Sequence, residues 1–316
     1  MKHLTIVIFS LLCIFSSCGC RQGEEVVNAL LEGHDGKPPV LLSWQMTSAD
    51  TVRLSFNEPV IIKGDDFTVD GAAVAASTVS MGTVTITLAG AIPLGRSARL
   101  EGRVEDFHRN SVRFSITLWA QNPNPATLLI NEFTTKGSEA NPDRVELVAT
   151  GRGNIAGLTL YAGTASSYSD RIIFPDRWVE RGTYLVVRFQ EGVDDGGEYT
   201  SEKRSGLGSN NGALSVALSP EWESPVIDAV VWGNLITTTF EGFGSQALLT
   251  QVSQLYGAQQ WNSQKSRDSV DSTGSTATRS FCRERLSDTN SNADWYICDT
   301  RQASFGALNS EKRYVP

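Results

Sequence analysis

Two carboxylates offer the most direct route to chemistry. Glu132 falls in the run LLINEF that begins at Leu128, and Glu146 in the run DRVELVA that begins at Asp143. Both runs are patterned as strands, so the two acids can approach each other across neighbouring strands. A glycosidase uses such a pair as acid and as base or nucleophile. Pairing alone does not make a catalyst, because the reaction also needs a cleft. A second cluster is Asp288, Asn290, Asn292 and Asp294, with Asp299 at the twelfth position. Oxygens at that alternate spacing can converge on Ca²⁺. Ala293 stands where the loop calls for glycine, however, and Asx turns account for the same residues without a metal. Nucleophilic hydrolysis lacks a base: the three histidines are His3, His34 and His108, none beside a candidate serine, and no G-x-S-x-G elbow occurs. GLGSNNG and GRGNIAG are one residue too long for a dinucleotide loop and lack a βαβ surround, so they are expected to be hairpin turns.

Cys282 and Cys298 are the only cysteines beyond position 20. In an oxidising compartment such a pair usually forms a disulfide, worth roughly 3 kcal/mol for a loop of this size. The alternative is two buried thiols in separate places. Without histidine neighbours the two do not make a zinc site. Among the tryptophans, Trp232 and Trp295 sit in strand-like runs and are expected in a core. Trp261 stands in a polar stretch with Tyr256 close by, and these two are the aromatics expected to face a ligand.

The N-terminus carries the most specific signal. Lys2 precedes an apolar run over residues 4–15, too short to span a bilayer and fit to be a signal peptide. Phe15-Ser16-Ser17-Cys18-Gly19 resembles a lipobox, with Cys18 as the thiol that takes the lipid. Phe15 departs from the commoner leucine, Cys20 competes as acceptor, and an ordinary secretory signal is the alternative. The expected plan is a signal peptide over 1–17, then the lipidated Cys18 and a flexible tether over 18–38.

Strict alternation follows at Thr51 to Phe56, Thr83 to Leu88, Ser97 to Val104 and Ser111 to Leu118, with turn formers between. One face of each strand is thus apolar, as in two packed sheets. The succession ADTVRLSFNEPV, FTVDG, GTVTITLAGAIPLG and VEDFHRNSV resembles a bacterial Ig-like domain of the surface-layer and adhesin type, over 39–119. Such domains serve mainly as spacers. Residues 120–126, with Pro123 and Pro125, form a linker. Beyond it, Ile130-Asn131-Glu132, Gly157-Leu158-Thr159-Leu160 and the ending SFCRERLSDTNSNADWYICD resemble a lamin-tail domain, over 127–309. The resemblance implies a β-sandwich in which the Glu132 and Glu146 positions pin turns at one end. Ala149 departs from the family's asparagine. An insertion lies near 235–278; within it, 246–259 suits a short helix, and the Ser/Thr-rich run after it reads as a mobile loop. Residues 310–316 form a tail.

With 40% hydrophobic residues the chain can build a core, and a net charge of −8 with pI near 5.0 points away from nucleic acid. The fold expected is all-β: two Ig-like β-sandwich domains in tandem after a lipoprotein signal peptide and tether. The function expected is a lipid-anchored cell-envelope protein that binds protein or glycan partners, periplasmic or surface-facing. It is expected to be no enzyme and to need no cofactor, with calcium the one candidate. A calcium-dependent or carboxylate-based hydrolase and, further off, a nucleic-acid-binding module are the rivals.

Overall fold

Alternation of apolar and polar residues decides which faces meet. The computed structural model describes residues 36–138, 140–189, 198–222 and 224–316. Cys18, Cys20, the expected signal peptide and most of the tether lie outside the described residues. The chain divides into two compact units: the described residues up to Gly90 with Arg99–Leu118, and Ala91–Ala98 with Trp119–Pro316. The fold is all-β, with one short α-helix among the described residues.

The first unit contains β1 (Leu41–Ser48), β2 (Thr51–Phe56), β3 (Phe67–Val69), β4 (Val74–Ser80), β5 (Thr83–Leu88), β6 (Ser97–Glu105) and β7 (Ser111–Trp119). They form one sheet in the order β1-β2-β5-β4 and another in the order β3-β6-β7. Val52, Leu54 and Phe56 on β2, Val84, Ile86 and Leu88 on β5, and Ala98, Leu100, Gly102 and Val104 on β6 are buried, while the residues between them are partly or fully exposed. This is the period of two that a half-buried strand requires. Phe114 ties the sheets together, its ring 5.9 Å from Phe56 and 6.5 Å from Phe67. Gly102 makes room for it, since a Cβ there would stand 2.5 Å from the Phe114 ring. The turn before β7 is held by Asp106, whose carboxylate accepts from Asn110 N at 2.8 Å and Asn110 Nδ2 at 2.7 Å. Arg109 takes the left-handed conformation that closes the turn. The sequence VEDFHRN therefore has a mechanical meaning, and His108 is part of that turn.

The second unit is a larger pair of sheets. Its strands are β8 (Leu128–Phe133), β9 (Arg144–Ala149), β10 (Gly153–Asn154), β11 (Thr159–Thr164), β12 (Ser167–Ile173), β13 (Trp178–Val179), β14 (Tyr184–Arg188), β15 (Tyr199–Thr200), β16 (Gly212–Ala217), β17 (Val226–Gly233), β18 (Val270–Asp271), β19 (Phe281–Arg283) and β20 (Trp295–Ile297). Five form a sheet in the order β12-β11-β16-β17-β18 and six another in the order β15-β14-β9-β8-β19-β20, with β10 and β13 paired apart. Phe133 of the six-stranded sheet stands at the centre of the core. Its ring lies 4.6 Å from Phe281, 5.3 Å from Trp295 and 5.1 Å from Trp232 of the opposing sheet. The helix α1 (Gln246–Gly257) covers β11, β16 and β17. Leu248, Val252 and Leu255 recur at helical spacing and are its buried face, and Ser245 caps it by accepting from Leu248 N at 3.2 Å.

Two expectations about this region are corrected. Trp261 does not face a ligand: it is 1% exposed and belongs to the core, because α1 turns the chain inward just before it. Tyr256, in contrast, is exposed. The Ser/Thr-rich run is no mobile loop either. Ser269, Ser272, Ser275 and Ser280 are buried, and β18 within it extends a sheet by parallel pairing with β17. Its hydroxyls satisfy backbone carbonyls, Ser272 Oγ donating to Asn210 O at 2.6 Å and Ser275 Oγ to Ser272 O at 2.7 Å. Short hydroxyl side chains can thus be buried where their partners are built in.

One buried ion pair crosses between the sheets. Arg283 on β19 donates through Nη2 to both Asp228 oxygens on β17, at 2.8 and 2.6 Å, and both side chains are at most 1% exposed. Ile130 N on β8 donates to the same carboxylate at 2.6 Å, and Arg283 Nε returns a bond to Ile130 O at 2.6 Å. The guanidinium also lies 4.7 Å from the Trp295 ring centre. Burial pushes the Asp228 carboxyl up to about 6 while Arg283 pulls it down, so the pair is ionised at neutral pH. We expect Arg283→Met to cost about 3–5 kcal/mol, because it strands Asp228 uncompensated. Asp228→Leu added to it should recover part of that loss. Urea denaturation of the three chains checks this, and a double variant no better than the single would count against the network.

Candidate functional site

The β8–β9 ladder places Glu132 directly opposite Glu146, as the sequence suggested. Between Ile130 and Glu132 the register shifts, leaving Asn131 as the extra residue of a bulge. Bulges re-aim side chains, and here Asn131 Nδ2 donates to Glu146 Oε1 at 2.7 Å. Both glutamates are 0% exposed, covered by residues 304–309. Ser304 N donates to both Glu132 oxygens at 3.0 Å and Ser304 Oγ to Oε2 at 2.9 Å, while Ser280 Oγ donates to Oε1. Gly306 N donates to the free oxygen of Glu146. Asn309 Nδ2 bonds Arg283 O at 2.9 Å, and Phe305 stacks under the Arg144 guanidinium at 4.2 Å. The acids therefore fasten a late segment of chain across the sheet. Burial pushes the Glu146 carboxyl up to about 7; the bonds from Asn131 and Gly306 oppose it, and the Glu132 charge adds to it.

The next strand brings in sulfur. Cys282 on β19 is the ladder partner of Glu132, and Cys298 follows β20. Both are free, fully buried thiols. Ser280 Oγ lies 2.9 Å from Cys298 Sγ, and Ser280 N donates to that sulfur at 3.3 Å. A hydrogen bond between the two thiols, together with burial, pushes Cys282 up; from the other side it draws Cys298 down to about 6. That Glu132 completes this cluster is not legible from spacing, because the ladder partner of a residue is a property of register.

The candidate calcium residues are used as a turn. Asn292–Asp294 is a single 3₁₀ turn closed by a capping box between Ser291 and Asp294. The Asp294 carboxylate accepts from Ser287 Oγ at 2.7 Å, Thr289 N at 2.8 Å, Thr289 Oγ1 at 2.9 Å and Ser291 N at 3.2 Å. Burial would raise this carboxyl, but those bonds outweigh it and hold it below the ordinary range. Asp288 lies 3.5 Å from Arg283 Nη1, and Asn290 Nδ2 donates to Gln259 O at 2.9 Å.

Asp228 and Arg283 went unread in the sequence. A lone carboxylate inside the apolar run VIDAVVWG was the available signal, since burial of a single charge demands a partner.

These features define an all-β chain whose second unit is a two-sheet sandwich tied by a buried ion pair and closed by late residues on two glutamates. The model of the family described as "TP_1001_2nd: protein second domain" matches residues 126–215 and 200–297, together more than half of the chain, and the chain belongs to that family. Among curated proteins none matches. Two solved structures are similar in part. The "N-terminal part of the bacterial S-layer protein SbsC" is 12% identical, over 68% of this chain and 48% of that one. "Surface layer protein SbsC, domains 1-6" is 10% identical, over 67% and 43%. Both superpose with a TM-score of 0.27, short of a shared fold, and this chain spans less than half the length of either.

Glu146 gives stability a pH dependence. Its carboxyl titrates near 7 in the folded chain against an ordinary 4.5, so the folded state holds a proton that the unfolded chain releases. That contribution is complete below about pH 4.5 and is lost as pH rises through about 7. We expect the wild-type chain to lose roughly 2–3 kcal/mol from this group between about pH 5 and about pH 8. Thermal melts across that range should show a flatter profile for Glu146→Gln; identical slopes would refute the assignment.

Proposed function

We propose that this chain is an exported, lipid-anchored protein of the cell envelope with a binding or structural role. The N-terminal unit acts as a spacer, and the lamin-tail-like second unit makes the contacts. The observation that carries the non-catalytic part is the state of the two glutamates. Each is sealed from solvent, and its oxygens already accept from Ser280, Ser304, Asn131 and Gly306. A carboxylate so enclosed meets neither water nor sugar, whereas glycoside hydrolysis needs both at the pair. Location is supported by the apolar run over 4–15 and the Cys18 that follows it.

Contact with a partner has aromatic surface to work with. In the second unit Trp178 is 54% exposed, with the Arg152 guanidinium 5.5 Å from its ring centre, and Trp222 is 70% exposed. Exposed tryptophans beside arginine are favoured at protein interfaces, and their faces also stack on sugars. An envelope protein or glycan is accordingly the partner class. The net charge of −8 argues against nucleic acid.

Crosslinking on intact cells, with tagged chain recovered and partners identified by mass spectrometry, tests this. A reproducible envelope partner that disappears with Cys18→Ala is the expected result. Equal recovery of wild type and Cys18→Ala, with no partner in either, would overturn the anchored-binder reading.

A further inference from the structure

The cluster beneath residues 304–309 has the donor set of a metal site. One oxygen of Glu132 and the sulfurs of Cys282 and Cys298 lie within 4.8 Å of one another, all in residues with 0% exposure. The strands fix this: Cys282 faces Glu132 in the β8–β19 ladder, and Cys298 N bonds Ser280 O at 2.9 Å, which sets the second sulfur one step along the same face. Ser280 Oγ stands among them, donating to Glu132 and lying 2.9 Å from Cys298 Sγ and 3.7 Å from Cys282 Sγ.

Size decides between two uses of such thiols. Cys282 pairs with Tyr296, so Cys298 is its diagonal neighbour and not its direct one. Diagonal positions are about 7–8 Å apart in an antiparallel ladder, beyond the roughly 4.4–6.8 Å between α-carbons that a disulfide spans. A direct sulfur–sulfur bond would need the strands to shift. A metal bridge is longer: with zinc–thiolate bonds of about 2.3 Å, tetrahedral geometry separates the sulfurs by about 3.8 Å. With its ligand atoms within 4.8 Å of one another, the cluster need close by at most about 1 Å to reach that geometry.

We propose that Glu132, Cys282 and Cys298 form a buried site for one thiophilic divalent cation of the zinc class, oriented by the Ser280 hydroxyl. Binding removes the two thiol protons to solvent, the sulfurs enter as thiolates, and the carboxylate supplies the third ligand. The net charge left on the set is one negative, faced by the Ser304 N–H and the Ser280 and Ser304 hydroxyls. The ion enters as the chain folds and joins β8, β19 and the segment after β20.

The test uses the full chain purified from membranes in detergent without chelator, unfolded and refolded with zinc chloride, freed of excess and analysed for metal by mass spectrometry. One zinc per wild-type chain is expected, with loss in Cys282→Ser and in Cys298→Ser. Because those variants can fail to fold, cobalt replacement in the wild type supplies an independent reading, the thiolate-to-cobalt charge-transfer band in the near ultraviolet. Ser280→Ala should keep the band but bind roughly 10–100-fold more weakly. Wild type without zinc or without the band, or zinc retained in both cysteine variants, would overturn the proposal. So would non-reducing peptide mapping that finds Cys282 joined to Cys298 in the chain isolated from cells.

Discussion

The contact between Asp228 and Arg283 is the one on which the second unit depends, because it obliges three strands to hold a single arrangement. Packing of apolar faces tolerates sliding; a carboxylate and a guanidinium taken out of water do not. Asp228 reaches across from the five-stranded sheet, and Arg283 and Ile130 meet it from the six-stranded one. A shift of one residue in β8, β17 or β19 would leave a charge in the core without its partner. Phe133, Trp232 and Trp295 then fill the space around that fixed point.

The same register governs the outer side of the six-stranded sheet. Once β8 and β19 are set by Ile130 and Arg283, Glu132 must face Glu146 on one side and Cys282 on the other. Two carboxylates and two thiols in one dry place would be costly if bare. Backbone N–H groups of Ser304 and Gly306 and the hydroxyls of Ser280 and Ser304 offset that cost with hydrogen bonds. The two acids that sequence pairs as a possible catalytic couple are bonded here by residues far along the chain.

How much was legible follows from the range of each determinant. Period-two alternation is local, so β2, β5, β6 and β7 could be marked from sequence, as could the Glu132–Glu146 approach and the helix over 246–257. The strands β18, β19 and β20 are two or three residues long, too short to show a period, and exist because neighbours pair with them. Trp261 was misplaced for a related reason: the residues around it are polar, and only the turn after α1 aims its ring inward. Composition likewise misjudged the serines after it, since polarity measures affinity for water and not the presence of a carbonyl partner. The cysteine cluster needed register, which spacing does not encode.

Residues 304–309 also lie more than 150 positions after the two glutamates they cover. A chain synthesised from its N-terminus presents β8 and β9 long before the backbone donors that silence their glutamates. Until then the outer face of the sheet carries two acids open to water, and the sandwich is unfinished however well its core has formed. Completion is thus tied to delivery of residues 304–309, and a product cut short before them would keep the look of a fold while displaying a charged, hydrated seam. Such a seam is a mark by which a protease could tell the unfinished molecule from the finished one.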